Sequence, residues 1–269
     1  FPTRRSSDLL TGSADGTVTY GNDSVTVDAS HTQEGYLMVS YSGSNSKVKL
    51  QITGSDEITY TYNLHDGYET FPLTSGSGSY TVGVFENIEG TSYSTLFTQA
   101  IDVTIQDEFG PYLYANQYVN FSADSKVISK AMELSASAND DLEVIENVYN
   151  YIITNFTYDY DKAASVQSGY LPNVDEVLAS QTGICFDYAA VMASMLRCER
   201  IPTRLEVGYM GDVYHAWIST YIKDKGWVNG IIEFDGNDWK LMDPTFASTS
   251  SDPKDFLTQT DEYITKYVY

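Results

Sequence analysis

The sequence predicts an α+β fold, with helices packed on an antiparallel sheet, preceded by an all-β domain. From about residue 15 to 105, short alternating strands are separated by Gly, Ser, Asn and Asp. Beyond residue 111, apolar residues recur at helical spacing, and the pattern returns to period two after Pro202. The polar segment Asp107–Pro111 lies between these textures, so we predict two domains, 10–106 and 111–269.

The first nine residues do not fit either domain. FPTRRSSDL matches the translation of a sequencing-adapter oligonucleotide, and we interpret residues 1–9 as an assembly artefact. We therefore expect the native N-terminus, with any signal peptide, to be missing from this piece of sequence.

Residues 10–106 are predicted to form a β-sandwich. The predicted strands are rich in Tyr, Thr and Val, and they lie at Tyr36–Tyr41, Lys47–Thr53, Glu57–Asn63, Tyr80–Glu86 and Ala100–Ile105. This pattern is typical of an immunoglobulin-like or fibronectin-like sandwich, here without the cysteine pair of true immunoglobulin domains. His65, in the loop LHDGYE, is interpreted as a solvated turn residue.

Residues 111–269 are predicted to contain helices followed by an antiparallel sheet. The predicted helices are Ser125–Ser135, Asp141–Thr154, Val174–Ser180 and residues 184–199. The predicted strands are Thr203–Met210, Val213–Ile222, Gly230–Phe234 and Trp239–Met242.

Composition excludes several classes of function. Thirty-seven acidic and fifteen basic residues give a net charge of -22, which opposes binding to nucleic acid. No stretch has the alternating Asp and Asn ligands of a calcium loop, so we expect neither a metal nor another cofactor. No apolar run approaches the ~18 residues of a membrane span.

The two cysteines lie near opposite ends of one predicted helix. Cys185 and Cys198 are separated by about 20 Å along that helix, which exceeds the ~7 Å limit for bridged Cα atoms, so both thiols should be free. Asp187, Ser194 and Arg197 form a narrow polar stripe, and Cys185 lies about 160° from Asp187 on the helical wheel. This placement predicts that Cys185 points into the protein.

Cys185 is either a packing residue or a nucleophile. It lies in the first helical turn, where free backbone N–H groups and the helix dipole favour an anion such as a thiolate. A catalytic thiolate needs a base and an orienting acid. Of the three histidines, only His215 shares the predicted domain, and Asp243 ends the following strand. Cys198 is interpreted as a packing residue.

Four ordered segments carry a family resemblance. GICFDYAAVMASMLR, IPTRLEVGY, YHAWI and DWKLMDPTF resemble the signature blocks of the transglutaminase-like superfamily, whose bacterial members have a papain-like α+β core. The resemblance covers about residues 140 to 247 and implies that Cys185 is the nucleophile, His215 the general base and Asp243 the orienting acid. The upstream helix that ends in NFTYDYD also resembles the family.

The chain departs from the family pattern in two places. Glu199-Arg200 stands where the family usually has a glycine that closes the helix in a left-handed cap. Additional residues at Lys223–Ile232, including Gly226-Trp227, are predicted to form a hairpin beside the cleft.

The resemblance implies acyl transfer through a thioester on peptide or glutamine carboxamide carbonyls. Water as acceptor makes a protease or amidase, a lysine amine makes a transglutaminase, and we favour hydrolysis. The backbone N–H of Cys185 is the expected oxyanion donor, with Gln181 and Tyr160 as candidates for the second donor.

A non-catalytic function is the alternative to the enzyme. The tyrosine-rich β-domain and acidic surface are also typical of a non-catalytic cell-surface binding or scaffold protein. For the enzyme, we expect a protein or peptide substrate, with cell-wall peptide as one candidate. Composition and domain order favour a secreted or cell-envelope bacterial protein, and the oligomeric state stays open.

Overall fold

The protein is described by a computed structural model that covers residues 9–223, 226–229, 231–234, 239–242 and 263–269. It divides into two compact units, one spanning Thr11–Gln117 and the other formed mainly by Tyr118–Tyr269. The fold is mixed α/β with antiparallel sheets. In the described part of the chain, no helix is long and apolar enough to cross a membrane.

The first unit contains two antiparallel four-stranded sheets, ordered β1-β2-β3-β6 and β5-β4-β7-β8. The first sheet comprises β1 (Thr19–Gly21), β2 (Val25–Asp28), β3 (Tyr36–Tyr41) and β6 (Gly67–Pro72). The second comprises β4 (Val48–Thr53), β5 (Thr59–Leu64), β7 (Gly78–Glu89) and β8 (Ser92–Val103). Residues alternate between buried and half-buried along β4, so one face of the second sheet forms core. Assignment to the immunoglobulin-like class stays a prediction.

Strand β8 begins earlier than predicted. It starts at Ser92 rather than Ala100 and pairs with β7 as a long hairpin, with Glu89 opposite Ser92. Most side chains in the first half of β8 are exposed or half-exposed. That half consequently lacks the apolar alternation by which a strand is recognised in a sequence.

The segment after β8 packs on the first unit. The backbone N–H of Gln106 donates to the Gln33 carbonyl at 2.8 Å, and the Tyr114 ring lies 4.5 Å from the Tyr36 ring. The Gln117 amide donates to the Asn63 carbonyl at 2.7 Å. The two units therefore divide at Gln117 and Tyr118, beyond the predicted boundary segment.

His65 lies just after β5 in the first unit. Its side chain is 54% exposed, and its Nδ1 lies 3.0 Å from a carboxylate oxygen of Glu69. These contacts agree with the interpretation of His65 as a solvated turn residue.

Five α-helices lie in the described part of the second unit. They are α1 (Lys126–Ser135), α2 (Asp141–Asn155), α3 (Tyr160–Ser165), α4 (Val174–Ser180) and α5 (Cys185–Cys198). Helix α2 begins where Asp140 accepts a hydrogen bond from the Glu143 backbone N–H at 2.9 Å. Helix α3 was not predicted because it has no buried residue and hence no apolar stripe.

The main sheet of the second unit has the order β13-β12-β11-β16 and is antiparallel. Its strands are β11 (Thr203–Met210), β12 (Val213–Ile222), β13 (Gly226–Asn229) and β16 (Tyr263–Val268). Strands β9 (Thr157–Tyr158) and β10 (Thr182–Gly183) form a parallel pair, and β14 (Ile231–Phe234) pairs with β15 (Trp239–Met242). Ile222 opposes Gly226 in a β12–β13 hairpin, so the additional residues Gly226–Asn229 pair with β12, and their position beside the cleft stays a prediction.

Helix α5 is the centre of the second unit. It packs against α1, α2 and α4 and against strands β11 and β12. Asp187 and Ser194 are 0% exposed and Arg197 is 1% exposed, so the polar stripe of α5 is buried. Cys185 is partly exposed. The polar stripe of α5 is therefore not a solvent face, and the direction of Cys185 that was inferred from this stripe stays a prediction.

Arg200 closes α5 in a left-handed conformation. Its φ is 62°, and the backbone N–H of Ile201 donates to the Leu196 carbonyl at 3.0 Å. This bonding is typical of a Schellman cap, in which glycine is the preferred residue. The expected departure at Glu199-Arg200 thus replaces the glycine and keeps its backbone conformation.

Candidate active site

Cys185 is the first residue of α5, and Ile184 alone separates it from the short strand β10. Backbone hydrogen bonds fix β9 beside β10: Thr157 N–H donates to Gln181 O and Asp159 N–H to Gly183 O, each at 2.9 Å. This pairing places the exit of α2 alongside the backbone that leads into Cys185.

Tyr158, on β9, is the phenol that lies beside Cys185. Burial and the Cys185 thiol raise the pKa of Tyr158 and the Cys185 backbone N–H lowers it, which together give a pKa of about 12. The Tyr158 ring also packs on Tyr188 and Tyr160, with centroid separations of 6.3 and 5.0 Å. At neutral pH the phenol keeps its proton, so an O–H donor lies next to the candidate nucleophile.

The sequence pattern led to Tyr160 as a candidate for the second oxyanion donor, and not to its neighbour Tyr158. The signal was present, because both tyrosines belong to the NFTYDYD segment that resembles the family. Tyr160 is 67% exposed and makes an edge contact with the Tyr158 ring. The pairing of β9 with β10 determines which tyrosine lies beside Cys185. The local sequence pattern does not indicate this pairing.

Gln181, the other predicted oxyanion donor, ends helix α4. It takes a left-handed conformation with φ 52°, and its side-chain amide donates to the Tyr151 hydroxyl at 3.4 Å. Among the described contacts, neither Gln181 nor Tyr160 hydrogen-bonds to Cys185.

His215 lies on β12, the strand on which α5 packs. It is 5% exposed, pairs with Gly208 across the sheet, and stacks on Trp217 with ring centroids 6.2 Å apart. Asp243 lies outside the described residues; strand β15 ends directly before it.

Tyr118 packs against the first turn of α5. Its ring lies 5.6 Å from that of Phe186, the residue after Cys185. Burial raises the pKa of Tyr118, and the nearby phenols of Tyr214 and Tyr267 raise it further. The packing of α5 on β12 brings the elements of Cys185 and His215 together.

Cys198, at the other end of α5, has different surroundings. Its thiol donates to the Met195 carbonyl at 3.0 Å, and burial raises the pKa of this thiol well above its usual range. Both cysteines are free, as predicted, and Cys198 has the environment of a packing residue.

The structure offers no evident metal site within the residues it describes. Among them, no group of three or more His, Cys, Asp and Glu side chains is arranged to hold a metal ion.

Comparisons with known proteins identify a family match within the second unit. Residues 128–230 match the family model of the transglutaminase-like superfamily. A UPF0252 protein of Methanocaldococcus jannaschii is 28% identical over 89 residues, which span 31% of this chain and 24% of that protein. The chain thus corresponds to about a quarter of the length of this curated relative.

Two solved structures have some likeness to the chain. The periplasmic domain of TgpA from Pseudomonas aeruginosa, bound to ethylmercury, has a TM-score of 0.41 and 14% identity, covering 89% of this chain and 100% of its own. Red sea bream transglutaminase has a TM-score of 0.35 and 14% identity, covering 80% of this chain and 48% of its own. On the family match, the resemblance seen in the sequence is confirmed: residues 128–230 form a transglutaminase-like core.

Proposed function

We propose that the second unit catalyses cysteine-dependent acyl transfer through a thioester on Cys185. The observation that carries this proposal is a thiol at the first turn of a central helix, beside a protonated phenol, inside the transglutaminase-like segment. His215 is the proposed general base and Asp243 the acid that orients it. The packing of α5 on β12 supports the pairing of Cys185 with His215.

The reaction has two steps. The Cys185 thiolate attacks the carbonyl carbon of a peptide or glutamine carboxamide, and the His215 imidazolium protonates the departing amine or ammonia. A thioester to Cys185 remains. His215 then takes a proton from the acceptor, which attacks the thioester carbonyl and releases the acyl product and the Cys185 thiolate.

Two donors are proposed to stabilise the oxyanion that forms in each step. One is the backbone N–H of Cys185 at the start of α5, and the other is the Tyr158 hydroxyl. Loss of one oxyanion donor typically costs about 3 kcal/mol in the transition state. Tyr158 takes the place that sequence analysis gave to Gln181 or Tyr160, because its phenol lies at the Cys185 backbone.

The acceptor and the substrate class belong to the same proposal. Water is the favoured acceptor, which makes the protein a protease or amidase, and a lysine amine is the alternative that makes it a transglutaminase. The substrate is proposed to be a protein or peptide, with cell-wall peptide as a candidate, and the setting a secreted or cell-envelope one.

Mass spectrometry of the intact chain tests this proposal. A glutamine-containing peptide is supplied with and without excess amine, and both the adduct on Cys185 and the released product are measured. We expect an acyl adduct in wild type and in Cys198→Ala, and none in Cys185→Ala. Free acid as product, even with amine present, identifies hydrolysis, whereas an amide to the added amine identifies transglutamination.

The alternative function makes the opposite prediction. A non-catalytic binding or scaffold protein would leave Cys185 unmodified by acyl donors in the folded chain. If an activated thiol-reactive acyl probe labels the denatured chain at Cys185 and fails to label the native one, the enzyme proposal is wrong.

A further inference from the structure

A buried carboxylate anchors the turn that precedes Cys185. Asp187 lies in the first turn of α5 and is 0% exposed. Its Oδ2 accepts a hydrogen bond from the Ile184 backbone N–H at 2.8 Å and from Lys162 Nζ at 2.7 Å. Its Oδ1 accepts from the Tyr170 hydroxyl at 2.5 Å. Three donors therefore converge on one carboxylate two residues beyond the candidate nucleophile.

Lys162 supplies the charge that balances this carboxylate. It belongs to α3, and its ammonium group also donates to the Tyr170 hydroxyl at 2.6 Å and lies 4.4 Å from the Tyr170 ring centroid. Burial lowers the pKa of Lys162, but the hydrogen bonds to Asp187 and Tyr170 raise it by more, so the net shift is upward. Lys162 is therefore a cation at neutral pH, paired with a buried anion.

Tyr170 is the neutral third member of this cluster. Burial raises the pKa of Tyr170 to about 12, and the hydrogen bond to Asp187 raises it as well. The phenol consequently stays protonated and donates to the carboxylate. We refer to Lys162, Tyr170 and Asp187 together as the clasp.

The backbone leaves little freedom between the clasp and Cys185. A Cβ atom added to Gly183 would lie 2.6 Å from the Asp187 Cβ, so the β10 backbone lies directly against this side chain. The same strand is tied to α3, because Asp159 donates its N–H to Gly183 O at 2.9 Å and caps the Lys162 N–H at 2.8 Å. Displacement of Lys162 would therefore be transmitted to the start of α5.

The charge of Asp187 affects Cys185 because both residues lie in the first turn of α5. A buried carboxylate without a counter-ion disfavours a second anion nearby, and low local polarity strengthens that effect. Asp187 nevertheless holds the Ile184 N–H, and this contact defines the helix start. Lys162 balances the negative charge of Asp187, and the carboxylate keeps its hydrogen bond from the Ile184 N–H at the same time.

We propose that Lys162 is a positioning residue for the Cys185 thiolate, acting through Asp187. The inference rests on the proposed function, because it takes the thiolate to be the working form of Cys185. Lys162 holds the carboxylate in place and cancels its charge, and the ordered first turn of α5 then accommodates the thiolate.

The test measures the rate at which iodoacetamide alkylates Cys185 in the folded full-length chain at neutral pH. All variants carry Cys198→Ala, so that one thiol reacts. We expect Lys162→Met to slow alkylation by roughly fivefold or more, since Asp187 loses its counter-ion. Lys162→Arg should restore most of the rate, because it keeps the charge. Lys130→Met is the matched control, since Lys130 pairs with Glu133 in α1 and makes no described contact with Cys185.

A charge cycle separates this role from a merely structural one. Asp187→Asn removes the negative charge, so we expect faster alkylation than in Lys162→Met, and the double variant should be faster than Lys162→Met as well. If Lys162→Met and Asp187→Asn slow the reaction equally, or if Lys162→Arg is as slow as Lys162→Met, the inference is overturned.

Folding and turnover are read separately in the same set of variants. The thermal unfolding midpoint is measured for each variant. If Lys162→Met does not fold, the alkylation rates of Lys162→Arg and Asp187→Asn are compared instead to decide whether the charge of Lys162 or only its place in the structure matters. Alkylation needs no catalytic turnover. If the variants show the expected order of alkylation rates but wild type forms no acyl adduct, the proposed function is refuted and the role of Lys162 is supported.

Discussion

The Tyr158 hydroxyl lies beside the backbone N–H and the thiol of Cys185. Two residues of β9 and two of β10 create this relationship, because their parallel pairing sets the exit of α2 against the entry to α5. The phenol is protonated at neutral pH, since burial raises its pKa to about 12. A protonated phenol therefore lies beside the candidate nucleophile.

Tyr158→Phe should lower the rate of acyl transfer and leave the fold intact. Removal of one oxyanion donor is expected to reduce kcat by about 10²- to 10³-fold, with a smaller effect on KM. Steady-state kinetics with a peptide substrate measure both constants. Tyr160→Phe is the matched control, because this neighbour is exposed and should keep wild-type kinetics. Equal effects of the two substitutions would contradict the role of Tyr158.

Cys198 should make the folded protein less stable as the pH rises above about 8.5. Burial raises the pKa of this thiol in the folded state, whereas an unfolded thiol loses its proton near pH 8.5. Its contribution to stability is therefore complete below that pH and declines above it. The expected loss is about 1 kcal/mol between about pH 8.5 and 9.5.

Denaturant unfolding at several pH values measures this dependence, with Cys198→Ala as the comparison. The variant should lack the decline attributable to the thiol. Tyr158 and Tyr170, with pKa values raised to about 12, stay protonated in the folded state across this window. Parallel pH profiles for wild type and Cys198→Ala would rule out the expected linkage.

Arg200→Gly should stabilise the protein. Arg200 holds φ at 62°, a left-handed conformation that costs a residue with a side chain roughly 1 kcal/mol relative to glycine. The expected gain is therefore about 1 kcal/mol in the free energy of unfolding, measured by denaturant titration. Arg200→Ala removes the side chain and keeps the strained conformation, so a similar gain in that variant would assign the effect to the side chain instead.

Arg197→Met should destabilise the second unit strongly. The buried guanidinium donates from Nε to Thr203 O at 2.9 Å and from Nη2 to Tyr269 O at 2.6 Å. These bonds link α5 to the first residue of β11 and to the residue after β16. Loss of two charged hydrogen bonds in a buried setting is expected to cost about 3 kcal/mol or more. Lys126→Met, an exposed cation at the start of α1, is the control and should change stability little.

Local patterns in the sequence were sufficient to locate most secondary structure of the second unit. Strands β11, β12 and β15 have the predicted bounds, and α2 and α5 differ from prediction by a residue at their ends. These elements carry strong apolar periodicity, which reports the local backbone conformation directly. Helix α3 and the first half of β8 were missed because their side chains are largely exposed.

Tertiary structure alone decided what surrounds Cys185. The sequence by itself determined the helix, its first turn and the identity of the thiol, because each depends on residues a few positions apart. It could not show that Asp187 is buried on a clasp with Lys162 and Tyr170, or that Tyr158 rather than Tyr160 meets the Cys185 backbone. Those contacts join residues from separate elements, and packing between elements leaves no periodic trace in either segment.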